Sequence, residues 1–92
     1  MNNLEDLRNK IDGIDRQLIA IFEERMNVVC DIAKFKLDNN LPILNESRED
    51  IVIKKAVDNL KNKGFSDSTV AFMQEIMKLS KKEQVKIFSD KK

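Results

Sequence analysis

The chain has 92 residues, with 17 Lys or Arg against 16 Asp or Glu, so its net charge is only +1. It contains no His and a single cysteine, Cys30, which excludes an internal disulfide, a histidine general base, Ser–His–Asp or Cys–His catalysis and the usual zinc ligands. Balanced charge, a polar N-terminus and the lack of a long apolar run predict one soluble, cytoplasmic domain over residues 1–92, without membrane span or affinity for nucleic acid.

The first predicted element is a long helix over about residues 4–38. Apolar side chains recur along it every three or four residues, a spacing that fits a helix and not a strand. These nine positions, called the seam below, are Leu4, Leu7, Ile11, Ile14, Leu18, Ile21, Val28, Ile32 and Phe35. Asn3 is the predicted N-cap, with Asp6 three residues later, and Pro42 prevents the helix from continuing.

A second, short helix is predicted over about residues 46–62. Its apolar positions again follow a helical spacing, and either Asn45 or Ser47 can serve as its N-cap. Gly64 is the predicted C-terminal cap, since many helices end in a left-handed conformation that glycine adopts readily.

A third helix of medium length is predicted over about residues 66–88. Two neutral polar side chains four residues apart, Ser80 and Gln84, continue its apolar stripe. Polar groups on a core-facing stripe need hydrogen-bond partners, so these two could bond each other, bond a backbone carbonyl or face a ligand. The three elements together predict an all-α fold with one long, one short and one medium helix.

The length of the first helix indicates how the chain assembles. This helix would be about 50 Å long, whereas a compact globule of this size is only about 30 Å across. The seam therefore extends beyond what two shorter helices can cover, and an exposed apolar seam indicates an interaction surface. The pattern predicts an intertwined homodimer, with a coiled-coil segment of a larger assembly as the alternative.

Two cations interrupt the pattern of the first helix. Arg25 occupies the position between Ile21 and Val28 that continues the spacing of the seam, where a charge needs a partner. Lys36 follows eleven residues later. On a helix this spacing returns to within about 20° of the same direction. With Val29 and Ile32 between them, the two cations predict a basic cleft with an apolar floor. A buried pair of Arg25 with a glutamate and a solvated cationic face are the alternatives.

Arg8 lies on the same helix, seventeen residues before Arg25. The two are separated by about 25 Å along the axis and roughly 100° around it, so they cannot bind one small ligand within a chain. In an antiparallel or crossed dimer, Arg8 of the second chain could reach that ligand.

Arg48 and Glu49 open the second helix and could face the cleft or the solvent. Together these candidate residues would form a site with several cations, an amide and one carboxylate, which suits a small dianionic ligand.

In order and spacing, these residues resemble the all-helical chorismate mutases (type II, AroQ class) over about residues 4–88. The motifs that carry the resemblance are Leu7-Arg8-x-x-Ile11-Asp12-x-Ile14-Asp15, Glu24-Arg25-Met26, Ala33-Lys34-x-Lys36, Pro42-Ile43, Arg48-Glu49 and Ser80-x-x-x-Gln84. Each motif alone is weak, but their order and spacing together are specific. The resemblance implies an intertwined homodimer of three-helix protomers and an isomerase of aromatic amino-acid biosynthesis.

The resemblance also implies how the site binds chorismate, a small dicarboxylate. Arg25 would bind one carboxylate and Arg8 of the second chain would bind the other. Lys36 and Gln84 would lie at the ether oxygen, and Lys36 would also touch a carboxylate. Glu49 would hold the ring hydroxyl.

Three further positions complete the implied site. Ser80 would support the ring carboxylate, while Arg48 and the backbone at Asn45 would line the junction between the loop and the second helix. The family commonly has Asp where this chain has Asn45. Asn serves equally if the position acts through its backbone or as a helix cap, whereas substrate affinity falls if the charge is needed.

The implied reaction converts chorismate to prephenate by a unimolecular [3,3] rearrangement, which needs no proton transfer, cofactor or metal. The protein has only to select a compact conformer and stabilise the charge that develops as the C–O bond breaks. The alternatives are an isochorismate-pyruvate lyase on the same scaffold and a non-catalytic helical dimerisation module. Glu49 and Ser80 match the mutase pattern rather than that of the lyase. A dimerisation module would not be stabilised by a dianionic transition-state mimic.

Overall fold

The computed structural model describes residues 3–90, which form three α-helices and one short 3₁₀ turn. The elements are α1 (Leu4–Asp38), α2 (Glu46–Asn59), the 3₁₀ turn (Lys63–Phe65) and α3 (Ser66–Asp90). The fold is all-α, with the long, short and medium helices in the predicted order. The outermost residues assigned to the domain, 1–2 and 91–92, lie outside the described residues. Within residues 3–90, none of the helices combines the length and hydropathy of a transmembrane span.

Asparagine side chains cap the first turns of α1 and α2. The side-chain oxygen of Asn3 accepts a hydrogen bond of 2.9 Å from the backbone N–H of Asp6, as the sequence predicts. Asn45 accepts one of 3.0 Å from the N–H of Arg48, so Asn45 rather than Ser47 caps α2. Each bond satisfies one of the N–H groups that the first turn of a helix leaves without a partner.

The chain leaves α1 through a tight turn at Asn40. The φ angle of Asn40 is 57°, in the left-handed region. The N–H groups of Asn40 and Leu41 donate to the carbonyls of Leu37 and Lys36, at 3.4 and 2.8 Å. This pair of bonds satisfies carbonyls of the last helical turn and ends the helix before Pro42.

Substitution of Asn40 tests the conformation of this turn. We expect Asn40→Gly to leave the free energy of unfolding within about 0.5 kcal/mol, and Asn40→Val to lower it by about 1–2 kcal/mol, because a branched side chain is strained at positive φ. Urea denaturation of the three proteins at one protein concentration measures the difference. Equal stabilities of the glycine and valine variants would contradict the left-handed turn.

Helix α2 ends at Asn59, three residues before its predicted end at residue 62. The ammonium of Lys63 donates to the carbonyls of Val57 and Asp58, at 2.7 and 3.2 Å. A lysine side chain therefore satisfies the free carbonyls for which a glycine cap is predicted. Gly64 lies in the 3₁₀ turn and does not have a positive φ, so its predicted role as the cap of this helix is wrong.

Helix α3 is central to the protomer, because it packs against both α1 and α2. Arg25 contacts Ser80 and, further along both helices, Lys36 contacts Gln84, so α1 and α3 run in the same general direction. The buried residues within the described range are Val29, Ala33, Ile76, Met77, Ser80 and Gln84. Two of these six are polar, and both belong to the predicted site.

The seam of α1 is not covered within one chain. All nine of its apolar side chains are between 44% and 63% exposed, since α3 packs on the neighbouring face that contains Val29 and Ala33. The molecule measures 57 Å along its longest axis against 26 and 14 Å in the other directions. The prediction that these helices leave the seam exposed is confirmed, and such a surface is typical of one that binds another protein chain.

Candidate active site

A cleft of about 240 Å³ is formed by residues of α1, α3, the start of α2 and the preceding loop. Seven of the eight site residues predicted from the sequence line it, namely Arg25, Lys36, Asn45, Arg48, Glu49, Ser80 and Gln84. Its apolar lining consists of Val29, Ile32, Ile43, Val52 and Met77. Val29 and Ile32 thus lie in the cleft between Arg25 and Lys36, where helical spacing predicts an apolar floor.

Arg8 is the one predicted site residue that does not line the cleft. It is exposed on the N-terminal part of α1, about 25 Å from Arg25 along the helix axis. Since α1 is one continuous helix from Leu4 to Asp38, Arg8 cannot fold back to the cleft of its own chain.

Lys36 and Gln84 are joined by a hydrogen bond at the cleft. The ammonium of Lys36 donates to the backbone carbonyl of Ile43 at 2.7 Å and to Oε1 of Gln84 at 3.3 Å. An ammonium group has no acceptor, so Gln84 presents its oxygen to Lys36 and keeps its NH₂ group for another partner. Lys36 likewise keeps its third proton. Two adjacent side chains therefore each retain a hydrogen-bond donor.

Arg25 is oriented by the hydroxyl of Ser80. Nη1 of Arg25 donates to Oγ of Ser80 at 2.6 Å, and this hydroxyl donates to the carbonyl of Ile76 at 2.7 Å. The bond to a backbone carbonyl is one of the roles that the sequence leaves open for Ser80. Because the hydroxyl of Ser80 donates its hydrogen bond to the carbonyl of Ile76, its Oγ is available to accept one from the guanidinium of Arg25. Ser80 therefore fixes the position of Arg25 from within the core.

Positive charge predominates in the cleft. Four of its thirteen lining residues are cations, Arg25, Lys36, Arg48 and Lys81, and one is a carboxylate, Glu49. Burial, followed by the nearby positive charge of Arg48, lowers the pKa of the Arg25 guanidinium. An anion bound between these two arginines would relieve their repulsion. In the part of the chain that the structure describes, no group of three or more potential metal ligands comes together.

Glu49 forms an ion pair with Lys81, which links α2 to α3. The ammonium of Lys81 lies 3.0 Å from Oε2 of Glu49, and both side chains are partly buried. Sequence reasoning missed Lys81. The available signal was its place directly after Ser80 and three residues before Gln84, on the same side of α3 as these two polar residues.

Asn45, which stands where chorismate mutases of this type commonly have Asp, caps α2. Its side-chain oxygen holds the first turn of α2 beside the cleft by accepting from the N–H of Arg48. An aspartate and an asparagine both provide such an oxygen, so the cap is retained without the negative charge.

The fold and the cleft together define a class of all-helical proteins with a cleft between their helices that is lined mainly by cations and apolar side chains. Within this class, the family described as chorismate mutase type II matches residues 7–85 of the chain. The chain belongs to that family.

Individual relatives share shorter segments with the chain. The T-protein of Haemophilus influenzae is 43% identical over 49 residues, or 53% of the chain. Two bifunctional chorismate mutase/prephenate dehydratases of Buchnera aphidicola, subspecies Schizaphis graminum and Acyrthosiphon pisum, are 35% and 34% identical over 59% and 61% of the chain. The chain spans only 13% to 14% of the length of these relatives. No solved structure gives a significant match.

Proposed function

We propose that the chain is a chorismate mutase that acts as a homodimer in aromatic amino-acid biosynthesis. The observation that carries the proposal is the bond between Lys36 and Gln84 in a cleft that Arg25 and Arg48 also line. It leaves two hydrogen-bond donors side by side where positive charge would hold a dicarboxylate. Membership of the chorismate mutase type II family supports the same function.

The proposed reaction takes place within one molecule. The ether C–O bond of chorismate breaks while a C–C bond forms, and no atom is gained or lost. The substrate must first be held in a compact conformer in which the two reacting carbons are close. Arg25, which Ser80 orients, binds one carboxylate, and Arg8 of the second chain binds the other. Fixing both carboxylates removes most of the orientational freedom that opposes the reaction.

Stabilisation of the breaking bond is the second part of the proposed mechanism. Negative charge develops on the ether oxygen as the C–O bond lengthens. The free proton of Lys36 and the NH₂ group of Gln84 donate to this oxygen, and the carbonyl of Ile43 keeps the ammonium in place beforehand. Donors that are already oriented bind the transition state more strongly than the ground state, which lowers the barrier.

The other polar residues of the cleft hold the substrate or the site itself. Glu49 accepts a hydrogen bond from the ring hydroxyl, and Arg48 adds positive charge beside Arg25. Ser80 supports the ring carboxylate through Arg25, since its own proton is bonded to a backbone carbonyl. Asn45 holds the junction between the loop and α2 by capping the helix.

The exposed seam supports the dimer. Its nine apolar side chains span almost the whole of α1, and they would be buried if the α1 helices of two chains packed in an antiparallel or crossed arrangement. The N-terminal part of each α1 would then lie near the C-terminal part of the other. Arg8 of one chain would thereby reach the cleft that contains Arg25 of the second chain.

Incubation of the purified protein with chorismate, in the presence of EDTA and without any cofactor, tests the proposed function. We expect chorismate to be consumed and prephenate to accumulate, because none of the proposed steps needs a metal ion. The same protein incubated with isochorismate serves as the control and should release no pyruvate. A protein that consumes no chorismate would refute the proposal, and pyruvate release would favour the lyase.

A further inference from the structure

Lys81 lines the cleft, yet it belongs neither to the motif shared with the chorismate mutases nor to the hydrogen bonds of Lys36. Its ammonium lies 3.0 Å from Oε2 of Glu49, and the two side chains are 38% and 27% exposed. An ion pair with this degree of burial is screened by salt less than a pair at the surface. The contact joins α3 to the first turn of α2.

The ion pair lies between two cavities. The second cavity, of about 300 Å³, is lined by Glu49, Asp50, Ile53, Gln74, Met77 and Lys81. Glu49, Met77 and Lys81 line this cavity and the cleft, so these three side chains separate the two spaces. The flexible side chain of Glu49 can therefore turn towards either space unless a partner fixes its carboxylate.

We propose that Lys81 is a positioning residue that fixes the carboxylate of Glu49 at this boundary. The proposal rests on the proposed chorismate mutase function. The ion pair uses Oε2 of Glu49 and leaves Oε1 to accept a hydrogen bond from the ring hydroxyl of the substrate. A glutamate that is ordered before the substrate arrives loses less side-chain entropy on binding.

Lys81 acts through Glu49 and not as another cation for the substrate carboxylates. Its charge is balanced by a carboxylate 3.0 Å away, whereas the described hydrogen-bond partners of Lys36 are neutral oxygens. The field that attracts a dianion therefore comes mainly from Lys36 and the arginines. This distinction predicts that the effect of Lys81 depends on Glu49 and on the ring hydroxyl.

Substitutions on α3 test the proposal. Lys81→Met removes the charge and keeps a long side chain, and we expect it to lower kcat/KM for chorismate about tenfold, within the range for residues in contact. Lys81→Arg keeps the ion pair and should restore most of the loss. Lys82→Met is the matched control, because Lys82 is the exposed neighbour of Lys81, and it should retain wild-type activity.

Two comparisons separate positioning from a general structural effect. In a Glu49→Gln background, adding Lys81→Met should lower kcat/KM by less than about twofold, since no carboxylate is left to fix. With a chorismate analogue that lacks the ring hydroxyl, Lys81→Met should again have almost no effect. The ratio of kcat/KM for chorismate to kcat/KM for the analogue, measured in one protein sample, does not depend on how much of the variant is folded.

Three results would overturn the proposal. They are an unchanged kcat/KM in Lys81→Met, an equal loss in the Glu49→Gln background, and an equal loss with the analogue. A wild-type protein that does not convert chorismate would refute the proposed function itself, and the role of Lys81 would fall with it.

Discussion

Lys36→Met is expected to lower kcat for prephenate formation by about 10²–10³-fold, the loss typical of removing one preoriented donor from a developing oxyanion. The upper end of this range is expected, because Lys36 also holds Oε1 of Gln84. Without the ammonium, the amide of Gln84 is free to rotate, so the second donor is weakened as well. Initial rates of chorismate consumption at saturating substrate measure the effect.

Lys34→Met is the matched control for this substitution. Lys34 lies two residues earlier on α1 and is exposed, so the same change should leave kcat within about twofold. Lys36 also holds the loop through the carbonyl of Ile43, a hydrogen bond from a charged group that is worth about 1.5–3 kcal/mol, so thermal unfolding of both variants is compared. A folded Lys36→Met protein that keeps more than about a tenth of the wild-type kcat would contradict the proposed mechanism.

The pairing of Arg25 with Lys36 in one cleft could be predicted from the sequence, because it depends on one helix alone. The geometry of an α-helix fixes the angle between residues eleven positions apart, whatever the rest of the fold does. The same geometry places Val29 and Ile32 between the two cations.

Ser80 and Gln84 stood out as polar residues on the apolar stripe of the third helix, and Arg48 and Glu49 as the opening of the second. Only the motifs shared with a known family assigned these four residues to the same cleft as Arg25 and Lys36.

Contacts between elements could not be derived in this way. Helical spacing from Ser80 and Gln84 places Lys81 on the cleft side of α3, but its contact with Glu49 depends on the rotation of α3 relative to α2, which neither helix determines by itself. The end of α2 is a similar case. Lys63 reaches the last carbonyls only because the chain turns back after the helix, so the expected role of Gly64 was not needed.

The apolar pattern of the sequence also did not predict which face of α1 packs against α3. Apolar residues spaced by three or four define a broad stripe along a helix. This spacing does not show which side of the stripe packs against another helix of the same chain. In the structure α3 covers Val29 and Ala33, and the seam beside them stays exposed. Length was the better guide, since a helix of 35 residues has more apolar surface than two shorter helices can cover.

A mixture of Arg8→Ala and Arg25→Ala chains is expected to regain activity that neither variant has alone. In each homodimer both sites lack one guanidinium. In a mixed dimer, one of the two sites combines Arg25 from one chain with Arg8 from the other, and the second site lacks both. Random assembly makes about half of the dimers mixed, so about a quarter of the wild-type activity should return.

The two starting variants should be nearly inactive. Truncating one partner of a buried charge pair typically costs about 2–5 kcal/mol, which corresponds to a loss of at least about 30-fold. Chorismate consumption is measured for each variant alone and after the two have been unfolded and refolded together. The increase on mixing is then large compared with the residual activity of either homodimer.

The matched control is a mixture of Arg25→Ala with Lys36→Met chains. Arg25 and Lys36 line the same cleft of one chain, so every site of their mixed dimer lacks one of the two and no activity should return. Recovery of activity in this control would contradict a site in which Arg25 and Lys36 come from the same chain. Absence of recovery in the mixture of Arg8→Ala and Arg25→Ala chains would contradict the action of Arg8 across the interface. Recovery in the first mixture alone requires Arg8 to come from the other chain, because continuous α1 holds it about 25 Å from its own Arg25.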